Sequence, residues 1–130
     1  MDTIDSCTFD VTERNGIPIM TLHGKFDIYA SASVFGALKE QIIRSEVTHL
    51  IIDISDLTQI DSTGLGVLYA THKLLRTKGG SLVLVIPENG KNQHIRRSME
   101  ITGISRLFAP TETKEEAIEA IDRLVAVTTT

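Results

Sequence analysis

Apolar and polar positions alternate over residues 8–13, where Phe9 and Val11 sit between polar neighbours, and residues 17–23 form a second, denser apolar run. Asn15-Gly16 between them has the chemistry of a tight turn, so the two runs predict a β-hairpin. Pro18 has no N–H for a ladder, which places it at the start of its strand or near an edge. After Gly24, residues 25–31 read as a short loop. A helix follows, in which Val34, Leu38 and Ile42 recur every four residues with Phe35 beside them, while Lys39, Glu40, Gln41 and Arg44 take the other side. Residues 50–54 are almost continuously apolar and β-branched, the pattern of a strand covered on both faces and therefore central.

Asp61-Ser62-Thr63-Gly64 opens a second helix, with Leu65, Val67, Leu68, Leu74 and Leu75 as its apolar set and Lys78-Gly79-Gly80 as its stop. Residues 81–86 predict another buried strand, closed by Pro87. Residues 92–102 predict a helix that Gly103 ends, and residues 106–109 a short fifth strand before Pro110. Thr113 and Glu116 form a capping box for a last helix carrying Ala117, Ile118, Ile121, Leu124 and Val125 on one face. Fraying is expected at residues 1–6 and 127–130. The order is β-β-α-β-α-β-α-β-α, without internal repeats, and strict alternation after a hairpin implies an α/β domain with a mostly parallel sheet and crossover helices.

The chain of 130 residues has the length of one domain, spanning all of 1–130 with a core near residues 8–126. One cysteine, Cys7, rules out an intrachain disulfide. Thirteen Lys and Arg against seventeen Asp and Glu give a net charge of −4, which argues against a nucleic-acid partner. The longest apolar run, residues 82–86, is far short of the ~20 residues of a spanning helix, and Asp2 and Asp5 precede any hydrophobic stretch. The expectation is a cytoplasmic protein without a membrane partner.

Candidate chemistry is sparse. His23, His49, His72 and His94 show no ligand spacing, so no metal is expected. Gly64-Leu65-Gly66 lacks the third glycine of a dinucleotide loop, since position 69 is Tyr69, and no phosphate-binding loop or nucleophile elbow is present. No cofactor and no enzymatic activity are expected. Lys91, His94, Arg96 and Arg97 read as a solvated helix face, and Asp53 and Asp56 as turn formers after the third strand. Asp61 or Ser62 caps the second helix. A serine at such a position sits where free backbone N–H groups and the helix dipole favour an added phosphate.

The chain resembles the STAS domain family, and within it the bacterial anti-sigma factor antagonists. The resemblance rests on Gly24-Lys25-Phe26-Asp27, on Leu50-Ile51-Ile52-Asp53 with Leu57, and above all on Asp61-Ser62-Thr63-Gly64-Leu65-Gly66-Val67-Leu68. Lys78-Gly79-Gly80, Thr102-Gly103-Ile104 and Leu107-Phe108 complete it. It implies a mixed sheet of four or five strands packed against about four helices. It also implies that Ser62 is phosphorylated by a serine kinase that doubles as an anti-sigma factor and supplies the ATP. The unphosphorylated antagonist would bind that kinase, and a PPM-class phosphatase would restore it. Asp27 matches the family's loop aspartate. The implied partner-binding surface comprises Asp27, Ile28 and Tyr29, then Asp61, Ser62, Thr63, Gly64, Leu65 and Gly66, with the exposed face of the second helix. A monomer or weak dimer fits this role. The alternative is a STAS scaffold or accessory subunit of a larger regulatory or transport assembly, which gel filtration separates from a small partner-switching protein.

Overall fold

The computed structural model describes residues 7–44, 48–88, 90, 92–108 and 110–129, with the side chains of all but residues 44 and 126–129. The readings above that involve Asp2, Asp5, Lys91, Ala109, Thr130, residues 1–6 and the Arg44 side chain lie outside it.

The hairpin forms as β1 (Thr8–Arg14) and β2 (Ile17–Phe26), paired antiparallel. Asn15 and Gly16 take φ of 55° and 79°, the left-handed pair that a two-residue hairpin turn requires. Helix α1 (Ile28–Arg44) crosses to β3 (His49–Ile60), and α2 (Ser62–Thr77) crosses to β4 (Ser81–Val85). Helices α3 (Gln93–Thr102), α4 (Ser105–Phe108) and α5 (Lys114–Thr129) follow. The strand order is β1-β2-β3-β4, with β2, β3 and β4 parallel. Gly79, at φ 76°, ends α2 in the left-handed conformation just past its last turn, as its sequence announces.

Strand alternation divides the core in two. Met20, Leu22, Leu50, Ile52, Leu82 and Leu84 face Leu38, Ile42, Leu68, Leu75 and Met99 of the first three helices. Ile17, Ile19, Ile51, Val83 and Val85 face Ala117, Ile118 and Ile121 of α5. The sheet is thus covered on both faces, which is why residues 50–54 are apolar throughout.

Four readings need correction. Lys25 and Phe26 finish β2 instead of starting a loop, because β3 continues beyond its apolar run and pairs Lys25 with Gln59 and Phe26 with Ile60. Asp53 is therefore inside a strand and 7% exposed: its Oδ1 accepts from Ser55 N and Oγ, and its Oδ2 lies 3.8 Å from Lys114 Nζ. Asp56 likewise belongs to β3. The fifth strand is absent. Gly103, at φ 81°, ends α3 and turns residues 105–108 into the single helical turn α4, anchored by buried Phe108, and β4 instead bridges Thr111 opposite Val85. Finally, α5 stays helical through Thr129, since each added residue of a formed helix gains a hydrogen bond for one residue ordered.

Asn92 occupies the N-cap of α3 without capping it. Its buried amide nitrogen instead donates to the carbonyls of Ile54 and Ser55, at 2.8 and 3.0 Å, pinning the segment after β4 to the middle of β3. Asn92→Ala leaves these acceptors unpaired and is expected to cost about 1–3 kcal/mol in urea denaturation. Asn92→Asp sets a carboxylate against two carbonyls and is expected to cost more. An alanine variant as stable as the parent would refute the pinning role.

His72 packs edge-on against Phe108, with ring centroids 5.4 Å apart, and its Nδ1 is buried without a hydrogen bond among the described residues. Burial, and then the charge of Arg76, lower its pKa from the ordinary 6.5. Unfolding restores that value, so below it the unfolded chain binds more protons and stability falls as pH drops. Urea midpoints at pH 7.5 and 5.5 are expected to show a smaller acid loss in His72→Leu than in the parent. Equal losses would remove His72 from the account.

Candidate modification and docking site

Parallel register creates the site. Phe26 ends β2 beside Ile60 at the end of β3, and the Asp61 N–H donates to the Phe26 carbonyl at 3.2 Å. One residue later on each strand, Asp27 and Asp61 begin their helices side by side. Asp27 Oδ1 accepts from the N–H groups of Tyr29 and Ala30, at 3.0 and 3.3 Å. Asp61 is the N-cap of α2, and its Oδ1 accepts from Thr63 N, Gly64 N and Thr63 Oγ1.

The second oxygen of Asp61 reaches across. Its Oδ2 accepts from Ile28 N at 3.2 Å, so one carboxylate joins the N-termini of both helices. The Thr63 hydroxyl, followed by the N–H groups of Gly64, Thr63 and Ile28, holds its pKa below the ordinary 3.8. Asp61 is therefore charged at neutral pH, and these bonds weaken only in acid.

The cap settles which residue is left for modification. Ser62 is the first helical residue, exposed, with no hydrogen bond from its hydroxyl among the described residues, whereas the Thr63 hydroxyl is held by Asp61. Gly64 is buried, and a Cβ there would stand 2.7 Å from the Phe26 carbonyl oxygen and 2.8 Å from Ile60 Cγ1. Close packing explains that glycine. It does not explain Gly66, which is exposed with nothing within 4 Å of a Cβ position.

The expected surface residues separate accordingly. Ile28 and Tyr29 are 61% and 87% exposed, Ser62 and Gly66 are exposed, and Asp27 and Thr63 are partly so. Leu65, 8% exposed, packs inward and with Gly64 builds the site without presenting a side chain. Sequence reasoning named the outer face of α2 but missed Tyr69, which is 44% exposed and has Lys73 Nζ 5.6 Å from its ring centroid. The positions 62, 66, 69 and 73 follow helical spacing, and that period was the signal available. The described residues contain no cluster of His, Cys, Asp and Glu able to hold a metal, and no helix among them is long and apolar enough to cross a membrane.

A four-stranded mixed sheet that ends two parallel strands in adjacent, aspartate-capped helix starts defines an α/β docking domain with an exposed serine at its rim. The STAS domain profile matches residues 8–118, and the chain belongs to that family. It is 30% identical over 101 residues to the anti-sigma-B factor antagonist of Bacillus subtilis, covering 76% of this chain and 85% of that protein. The crystal structure of an anti-sigma factor antagonist from Mycobacterium paratuberculosis superposes with a TM-score of 0.78 at 24% identity, covering 94% of this chain and 99% of that one. The Bacillus cell fate determinant SpoIIAA, in its phosphorylated form, gives 0.67 at 22% identity over 88% of this chain and 99% of that one.

Proposed function

We propose that the protein is a cytoplasmic anti-sigma factor antagonist that acts by partner switching and has no enzymatic activity of its own. In its unphosphorylated form it binds a serine kinase that is also an anti-sigma factor. That kinase transfers the terminal phosphoryl group of ATP to Ser62 Oγ, releasing ADP, and the modified surface no longer binds. A PPM-class phosphatase hydrolyses the phosphoserine and restores the antagonist.

The observation that carries the reading is the exposed, unbonded Ser62 hydroxyl between two helix N-termini, with Thr63 already committed to Asp61. The apolar side chains of Ile28 and Tyr29 and the flat backbone at Gly66 supply the contact area around it. Relatives that are themselves anti-sigma factor antagonists, and the phosphorylated state named for SpoIIAA, support it.

The test is incubation with purified anti-sigma serine kinases and ATP, followed by mass spectrometry of the product. One phosphate on Ser62 is expected, and none on Ser62→Ala. Phosphate on Thr63, or uptake unchanged by the alanine substitution, would overturn the assignment.

A further inference from the structure

The two edges of the sheet are built differently. On β1 every position is exposed, and Asp10, Glu13 and Arg14 guard the edge with charge. The β4 edge has no such guard: Ser81–Val85 reads Ser-Leu-Val-Leu-Val, with neither a charge nor a proline. Only its C-terminal part is covered, where Thr111 N donates to the Leu84 carbonyl and Ile86 N to the Thr111 carbonyl. By the alternation of a strand, the N–H and C=O of Leu82 and the N–H of Leu84 turn to that same outer side.

A cleft of about 360 Å³ runs along this uncovered part. Leu107 and Phe108 of α4 form one wall, Ala120, Arg123 and Leu124 of α5 the other, and β4 the floor. Leu107 and Leu124 are 40% and 45% exposed. The Arg123 side chain is exposed on the rim and has no carboxylate within 4 Å among the described residues.

We propose that this cleft is a second docking surface, which takes an extended segment of another protein as an added strand, with an acidic side chain on Arg123 and apolar side chains against Leu107 and Leu124. Strand addition supplies main-chain hydrogen bonds, and the flanking pockets select the side chains. A second copy of this chain suits the cleft less well, because two-fold pairing of β4 would bring one α5 toward the other, each presenting Arg123. Ser81 pairs with His49 at the start of β3, whereas Ser62 follows its end, so the two surfaces lie roughly 35 Å apart along the strand. Occupancy of the cleft is therefore compatible with either state of Ser62.

The test is an NMR titration of the isotope-labelled full chain with a blocked octapeptide alternating valine and glutamate, and with its valine–lysine counterpart. Saturable shifts of the Leu82, Leu84, Leu107 and Leu124 amides are expected, with the lysine peptide at least about fivefold weaker. Arg123→Glu is expected to reverse that preference, N-methylation of alternate peptide bonds to abolish binding, and Ser62→Asp to change neither. Absence of shifts, equal affinity for both peptides, shifts centred on Ile28 and Ser62, or concentration-dependent shifts of the β4 amides without peptide would each overturn the proposal.

Discussion

Phosphorylation of Ser62 is expected to weaken binding to the anti-sigma kinase by at least about a hundredfold, while the thermal midpoint of the isolated protein moves by only a few degrees. The group adds about −1.5 to −2 charges at the start of α2, where the dipole and the first-turn N–H groups favour an anion, so the domain itself tolerates it. The loss falls on the interface. Asp61 and Asp27 already make this rim acidic, and Asp61 stays ionised because its hydrogen bonds hold its pKa down. A partner surface fitted to a neutral hydroxyl must then desolvate a dianion beside a carboxylate, and each ~1.4 kcal/mol of that penalty is tenfold in affinity. Ser62→Asp is expected to reproduce the direction of the loss. Calorimetric titration of the kinase with the two forms measures it, and a phosphorylated protein that binds as tightly as the unmodified one would sink the switch. A loss of binding accompanied by unfolding would assign the effect to the fold.

Ser62→Ala gives the complementary result, and the structure alters its expected size. If Ser62 were the cap, alanine would cost roughly 1 kcal/mol. Asp61 holds that role, so Ser62→Ala is expected to change stability by no more than about 0.5 kcal/mol and to bind constitutively.

The hairpin, the two crossover helices and the central apolar strand were legible because burial writes a period into the chain. Residues 50–54 and 81–86 carry it plainly. The extension of β3 to Ile60 was not legible, since Ser55, Asp56, Thr58 and Gln59 read as a polar loop when their pairing with β2 is unknown. That miss mattered, because the extension shortens the β2–α1 connection to Asp27 alone and sets it beside Asp61. No local pattern encodes the contact between Asp61 and Ile28, 33 residues apart, and family resemblance supplied the grouping that spacing could not. Residues 106–109 failed for a related reason: a four-residue apolar run does not distinguish a strand from one turn of helix.

Gly64→Ala and Gly66→Ala are expected to move in opposite directions, although the two glycines lie one position apart on either side of Leu65. A methyl group on Gly64 meets the Phe26 carbonyl oxygen at 2.7 Å, the same oxygen that accepts the Asp61 N–H. Relief requires the first turn of α2 to move off β2, and that motion pulls Asp61 away from Ile28. Overpacking of this kind costs about 1–3 kcal/mol and sometimes more, against the ~1 kcal/mol that alanine gains over glycine inside a helix, so a net loss is expected. Gly66→Ala meets nothing within 4 Å and keeps the propensity gain, so it is expected to stabilise by up to about 1 kcal/mol. Urea denaturation of both variants reads the sign, and the Ile28 amide shift reports whether the bridge to Asp61 survives. Equal stability of the two would show that the close approach at Gly64 is no constraint. The same pair separates building from docking. Gly64→Ala should lose kinase binding together with stability, whereas Gly66→Ala, with a methyl on the exposed face beside Ser62, should bind more weakly while folding more stably.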